Sequence, residues 1–378
     1  MSVEIQPVTS ASDLRRFIDV PWRLYRDDPN WVAPLRSDEA KRFDTSRNPF
    51  FEHADARFLI ALHGDQPVGR ISAHVDQLHN EFHDERTGFF GFFETIPQPD
   101  VADALLSAAC DWLREQGMTL ARGPFDFNTN GESGLLVDGN DSQPVLMMPY
   151  NPSYYADFIE HNGFEKAKDL VAYLVQLDGD TFLSAMESLI PRMEKISQRA
   201  LDDGYTTRPV NLKDFDGEVA RLREIYNEAW EANWGFVPLT EREFEAQAKE
   251  LKRVVDPDLG VMIELGDEPV AFGLALPDFN QALKPVNGRL FPVGLLKLLW
   301  HMRRIDGMRM MTLGIKAKHR VRGVDALLYL HMIRAAMASR FTWCECSWIL
   351  EDNHRMRQTM QRITGRVYKR YRVYERTL

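Results

Sequence analysis

Three cysteines in 378 residues are too few for a disulfide framework. Cys344 and Cys346 stand two apart in a stretch that reads as a strand, so they share a face but are poorly placed to bridge each other. Cys110 sits in an apolar helical stretch, and zinc would need more Cys or His at ligand spacing, so no metal is expected. No apolar run approaches bilayer length, and residues 1–12 are mixed and polar where a secretory leader would be basic and then apolar. A cytoplasmic protein is the resulting expectation. A chain of this length, 44% hydrophobic and 27% charged, has room for two globular domains, each with its own core.

Charge of one sign is scarce near the end. Residues 281–378 hold 20 Lys and Arg against 6 Asp and Glu, a balance of +14, which leaves −24 for the rest of a chain of net charge −10. Such a basic end implies an anionic partner, whether a phosphorylated cofactor, a nucleic acid or a membrane surface, or else attraction between oppositely charged halves. Residues 366–376 alternate as a strand with an aromatic and basic face, but that interleaving is a weak nucleic-acid signal and no DNA partner is expected.

What the chain does have is itself twice. Gly64-Asp65-Gln66-Pro67-Val68 returns as Gly266-Asp267-Glu268-Pro269-Val270, and Asn151 and Gly163 return as Asn353 and Gly365, each 202 positions on. Asn30-Trp31 with Pro34-Leu35 is matched by Asn233-Trp234 with Pro238-Leu239. Asp103-Ala104-Leu105-Leu106 recurs as Asp325-Ala326-Leu327-Leu328 at 222, so the second copy has gained 20 residues before this helix, and the first regains them between Leu120 and Asn151. Two copies at so long a period argue for paired domains and against a solenoid.

Each copy opens with an amphipathic helix, residues 13–26 or 218–232. Two strands follow, 56–62 with 67–75 and 261–265 with 269–276, joined by Gly-Asp as in a hairpin. A strand at 87–93 or 309–315 leads into a helix at 101–116 or 324–339. A further strand, 120–125 or 342–349, precedes a helix beginning near the repeated Asn, with Pro152 suited to a first helical turn. Gly163 and Gly365 end these helices and begin closing strands.

The Pro-Val hairpin, the strand entering a helix through a short loop, and the Asn-led helix ending at Gly together resemble the GNAT superfamily of acyl-CoA-dependent N-acyltransferases. Their duplication is similar to the tandem GNAT proteins, among them acyltransferases assigned as bacterial ceramide synthases. The resemblance implies an α/β (α+β) fold of two GNAT-like domains, 1–177 and 178–378, each a mixed, mostly antiparallel sheet flanked by helices. It implies an acyl-CoA donor and an amine acceptor.

In that family the strand-to-helix loop binds the pyrophosphate of coenzyme A, through amides and a dipole at a helix N-terminus. The second copy reads Lys316-Ala317-Lys318-His319-Arg320-Val321-Arg322-Gly323-Val324-Asp325, in which Arg320 and Gly323 match the family pattern and Asp325 departs from its last small position. The first copy's Glu94-Thr95-Ile96-Pro97-Gln98-Pro99-Asp100 has no basic residue and no glycine. The resemblance therefore points to cofactor contacts in the C-terminal copy from Ile315, Lys316, Arg320, Arg322, Gly323, Val324 and Asn353. The tyrosine that serves many members as acid for the departing thiolate is absent, since Met360 and Phe158 fill its two positions.

For a base that accepts the amine's proton, Glu132, Glu81 and His79 have suitable chemistry, and Asn130 lies beside Glu132 in the Asn-Gly run of the first copy's insertion. The second copy's insertion, residues 287–311, is apolar, bears Trp300 and is flanked by Arg289, Lys297, Arg303 and Arg304. It reads as a helix at a membrane interface, an entrance for a lipid amine on the inner face of a membrane, or as a buried helix between domains. Two rivals to acyl-CoA-dependent transfer are a Fem-like transferase that draws its donor from aminoacyl-tRNA and a non-catalytic acyl-CoA or lipid binder.

Overall fold

The computed structural model describes residues 2–320 and 322–378, so Val321 of the proposed cofactor loop lies outside the described residues. The first copy runs β1 (Val3–Pro7), α1 (Ala11–Leu24), α2 (Arg36–Arg42), β2 (Ala54–His63), β3 (Gln66–Asp76), α3 (Gln77–His83), β4 (Thr87–Thr95), α4 (Pro99–Glu115), β5 (Leu120–Gly123), β6 (Leu135–Asp138), α5 (Tyr154–His161) and β7 (Glu165–Gln176). The second runs α6 (Asp180–Asp202), β8 (Tyr205–Pro209), α7 (Phe215–Trp230), α8 (Glu241–Leu251), β9 (Gly260–Leu265), β10 (Glu268–Pro277), α9 (Asn280–Leu283), α10 (Gly294–Met302), β11 (Gly307–Ile315), α11 (Val324–Ala338), β12 (Trp343–Leu350), α12 (His354–Arg362) and β13 (Arg366–Thr377).

Two compact units result. One comprises the chain up to Val171 with Ala282–Trp300 and Lys369–Leu378; the other comprises Ala172–Gln281 and His301–Tyr368. The insertion's helix thus belongs mostly to the N-terminal unit, as does most of the chain's last strand. That unit's strands order as β1-β2-β3-β4-β5-β13 with β6 beside β13, and the C-terminal unit's as β12-β11-β10-β9-β8, with β7 falling partly in each. Most neighbours are antiparallel; β4–β5 and β11–β12 are parallel.

The hairpins form where the sequence placed them. Gly64 and Gly266, at φ +58° and +60°, occupy the left-handed region that glycine enters at least cost, turning β2 into β3 and β9 into β10 through two residues. Along β2, Leu59 and Ala61 join a core with α4, while Phe58, Ile60 and Leu62 join one with Phe17, Phe43 and Phe127. Alternate residues point to opposite faces of a strand, so helices cover both faces of this sheet. In the C-terminal unit Ile225 and Ala229 of α7 pack on Met262 and Phe272. β1, β8 and α6 carry no counterpart among the expected elements. α5 begins at Tyr154 after Ser153, so Asn151 is no cap; its buried amide instead binds both the N–H and the carbonyl of Leu136, at 2.7 and 3.1 Å. Asn353 does cap α12, accepting from Met356 N–H.

Candidate active site

Both parallel strand pairs separate soon after they form. β4 and β5 pair over Thr87–Phe89 before β4 continues to Thr95, and β11 and β12 pair over Gly307–Met310 before β11 continues to Ile315. Each divergence leaves backbone donors and acceptors on facing strand edges, and the strand-to-helix loop follows directly.

In the C-terminal unit that loop is shaped by backbone. Arg322 and Gly323 lie at φ +79° and +85°, and Gly323 is the N-cap of α11. A Cβ on Gly323 would stand 2.4 Å from the Ile196 carbonyl oxygen of α6, so glycine is required for conformation and for space. The basic side chains here are already engaged. Lys316 is buried and pairs with Glu224 and Glu268, Lys318 pairs with Glu268 at 2.6 Å, and His319 Nδ1 meets the Tyr205 hydroxyl at 2.7 Å. Arg320 donates to the carbonyls of Ala229 and Ile315, so it ties the loop to α7 and β11. Arg322, exposed like Lys318 and Arg320, has only a loose partner, Asp203 at 3.8 Å. Asp325 is held by Arg355 of α12 at 2.5 Å. What the loop offers an anion is therefore chiefly the helix-start amides of Gly323 and Val324 together with Arg322. Asn353's side-chain oxygen is occupied by its cap.

The N-terminal unit holds a buried ionisable cluster at the corresponding place. Arg70 on β3 is the register partner of Glu94 on β4. The second copy pairs Phe272 with Gly314, and a Cβ on Gly314 would collide with the Trp230 ring. One copy is thus sealed by aromatic packing where the other buries charge. Glu94 Oε2 accepts from the Tyr25 hydroxyl at 2.6 Å and the Tyr155 hydroxyl at 2.9 Å, and Arg70 Nη2 lies 3.9 Å from Oε1. Tyr155 also accepts from Thr95 N–H at 2.8 Å, which fixes its hydroxyl. Burial pushes the Glu94 carboxyl up to about 7, against the pull of Arg70 and the two tyrosines. A bulge aims it: the register slips between Arg70 and Ser72, where Phe92 takes φ +48°, a costly conformation for a bulky residue. Behind it Arg42 lies 3.5 Å from Asp126 and 3.3 Å from Glu39; burial opposes its charge, and Asp126, Glu39 and Glu132 outweigh that.

Tyr25 joins this cluster to a cavity of about 650 Å³ in the same unit, lined also by Trp22, Asp28, Trp31, Arg36 and Lys284. Tyr25 stacks on Trp31 with ring centroids 5.2 Å apart, and Lys284 secures the Asn-Trp turn by donating to the Pro29 and Trp31 carbonyls. Trp22 Nε1 is a buried donor without an acceptor among the described residues, which suits a polar ligand atom in the wall.

The residues expected as bases fall in two groups. His79 and Glu81 share α3. His79 is 3% exposed, packed on Phe89 and His83, and burial, with His83 adding to it, pushes its imidazole down to about 4, a poor proton acceptor at neutral pH. Glu81 is exposed. Asn130 and Glu132 lie in the loop between β5 and β6, where Glu132 accepts from Asp126 N–H through its carbonyl. Glu94, Tyr25 and Tyr155 were not among the candidates.

No protein-family model matches the chain. Protein YghO of Escherichia coli (strain K12) is 38% identical over 381 residues, covering 99% of this chain and 95% of YghO. The bacterial ceramide synthase of Caulobacter vibrioides is 37% identical over 384 residues, covering 100% of this chain and 98% of that protein. Among solved structures, a tandem GNAT protein from the clavulanic acid biosynthesis pathway superposes with TM-score 0.58 at 12% identity, over 100% of this chain and 98% of that one. A GCN5-related N-acetyltransferase from Sphaerobacter thermophilus gives 0.51 at 10% identity, over 99% and 95%. With two diverging strand pairs and a duplicated hairpin the chain has the fold of the tandem GNAT proteins, and with relatives aligned over nearly their whole length it belongs to one family with YghO and the bacterial ceramide synthase.

Proposed function

We propose that this N-acyltransferase takes its acyl group from acyl-CoA and delivers it to a lipid amine of the sphingoid type, with Glu94 as the proton acceptor. The observation that carries the proposal is the contact between Tyr25, which lines the cavity, and Glu94, a carboxyl poised near neutrality. A base must be ionised at working pH yet able to hold the proton it takes, and a value near 7 meets both demands.

The neutral amine enters the cavity and its nitrogen pair attacks the thioester carbonyl. As the C–N bond forms the nitrogen gives a proton to the Tyr25 oxygen while Tyr25 passes its own to Glu94; the C–S bond breaks, and the thiolate leaves and takes up one proton from water as coenzyme A, while Glu94 returns its proton to water. Arg23, Arg26, Arg36, Lys284 and Arg289 around the cavity outnumber Asp19 and Asp28, which disfavours an ammonium ion there and so favours the neutral nucleophile. Donor recognition is assigned to Arg322, Gly323 and Val324 in the C-terminal unit. The name of the Caulobacter relative supports a sphingoid amine, and the fold supports the thioester donor.

Thermal melting with coenzyme A, acetyl-CoA and palmitoyl-CoA tests donor recognition, because a ligand of the folded state raises its apparent stability. Stabilisation greatest with palmitoyl-CoA, and weakened in Arg322→Ala, is the expected result. No shift with any thioester would overturn the donor assignment.

A further inference from the structure

The insertion between β10 and β11 splits into two parts with different exposures. Lys284, Val286 and Asn287 line the cavity. From Phe291 onward the segment turns outward: Phe291 is 79% exposed, Leu296 69%, Val293 53%, Leu299 52%, Trp300 51% and Leu295 42%. On α10, Leu295, Leu296, Leu299 and Trp300 fall within about 140° of arc at 100° per residue, opposite the buried Leu298 and Gly294. A helix of a globular protein normally turns such a stripe inward; here it faces out. Residues 282–305 include five Lys and Arg and no Asp or Glu.

We propose that Phe291–Trp300 is a docking surface for an anionic lipid bilayer, into which Phe291, Leu296 and Leu299 insert while Arg289 and Lys297 meet lipid phosphates. Three observations favour lipid over a protein groove. The apolar side chains project from a short helix and a proline-bearing loop. A tryptophan stands at the edge of the patch, where its amphipathic ring suits a headgroup layer. The segment's own charged side chains are all cationic, whereas a surface built for a rigid protein partner ordinarily carries both signs. Each basic residue near an anionic surface adds about 1 kcal/mol of attraction, screened by salt. No helix among the described residues is long and apolar enough to span a bilayer, so the contact is interfacial. Because the same segment walls the cavity, a docked protein would draw a membrane-dissolved ligand over a short path; the docking itself does not depend on the identity of that ligand.

The test is cosedimentation of the full chain, without donor or acceptor, with vesicles of phosphatidylcholine alone or mixed equally with phosphatidylglycerol. The expected result is pelleting with the mixed vesicles, reduced by high salt. The Phe291→Glu, Leu296→Glu double variant should lose at least about tenfold in partitioning, a loss of about 1.4 kcal/mol, while melting within a few degrees of the parent. Lys297→Glu should lose the preference for anionic vesicles. Protein remaining in the supernatant with both vesicles, or a double variant that pellets like the parent, would overturn the proposal. A concentration-dependent dimer abolished by the double variant, with no vesicle binding, would assign the patch to a second copy of the chain instead.

Discussion

Arg70 and Glu94 face each other across β3 and β4 with 3.9 Å between guanidinium and carboxylate, too far for a tight pair, while two tyrosines hold the carboxylate from its other side. Tight pairing would keep Glu94 ionised at any working pH; burial with looser contacts leaves it able to exchange a proton near neutrality.

Glu94→Gln should lower kcat by roughly 10²–10⁴-fold, the usual worth of a general base. Because only the ionised form accepts a proton, kcat/KM of the parent should climb through about pH 7 to a plateau, and the variant should lack that limb.

The same carboxyl links stability to pH. Its folded-state value lies above the ordinary 4.5, so its contribution is fully present below that pH and is lost as pH rises through about 7. The loss is about 3 kcal/mol at most. Denaturant melts should show Glu94→Gln gaining on the parent between about pH 5 and 8; a parallel pH dependence would contradict a raised carboxyl.

Tyr25→Phe removes a donor that favours ionised Glu94. A hydrogen bond to a charged group is worth about 1.5–3 kcal/mol, so the acid limb of the rate profile should move up by roughly one to two pH units. The relay also predicts a loss of rate in this variant; the parent's rate with an unmoved limb would place Tyr25 outside the proton path.

Gly323→Ala forces a Cβ to 2.4 Å from a backbone oxygen at a left-handed position, and should cost about 2 kcal/mol in a thermal or denaturant melt. Arg322→Gly relaxes its own left-handed residue and should melt no lower than the parent, which separates backbone strain from loss of the cation.

Lys284→Ala deprives the Pro29 and Trp31 carbonyls of their donor. With the Asn-Trp turn loosened, KM for the amine should rise while kcat with saturating amine is kept, since Tyr25 and Glu94 are untouched.

The fold was legible where short-range signals repeat. Gly64-Asp65 and Gly266-Asp267 mark turns by backbone requirement alone, and the alternating runs beside them could only be strands. β1 and β8 are five-residue strands whose place comes from pairing with β2 and β9, which nothing local declares. The insertion's apolar run suggested a longer helix than the nine residues of α10; Asn287 and Gly288 at φ +51° and +76°, then Pro292, delay its start. Glu94 was hidden because its environment is assembled from Tyr25, 69 positions earlier, and Tyr155, 61 later. His79 stood out in a polar run, yet Phe89 and His83 bury it. The departure at Asp325 was visible in the sequence, but not that Arg355 would hold it.

The most direct measurement is mass-spectrometric detection of the N-acylated product from palmitoyl-CoA and a sphingoid amine across pH, for the parent and Glu94→Gln. The account predicts an amide product and free thiol in equal amounts, a rate rising through about pH 7 in the parent, and near-complete loss in the variant. Product formed by the variant at the parent's rate and pH dependence would contradict Glu94 as the base, and no amide from any acyl-CoA with any lipid amine would contradict the proposed reaction.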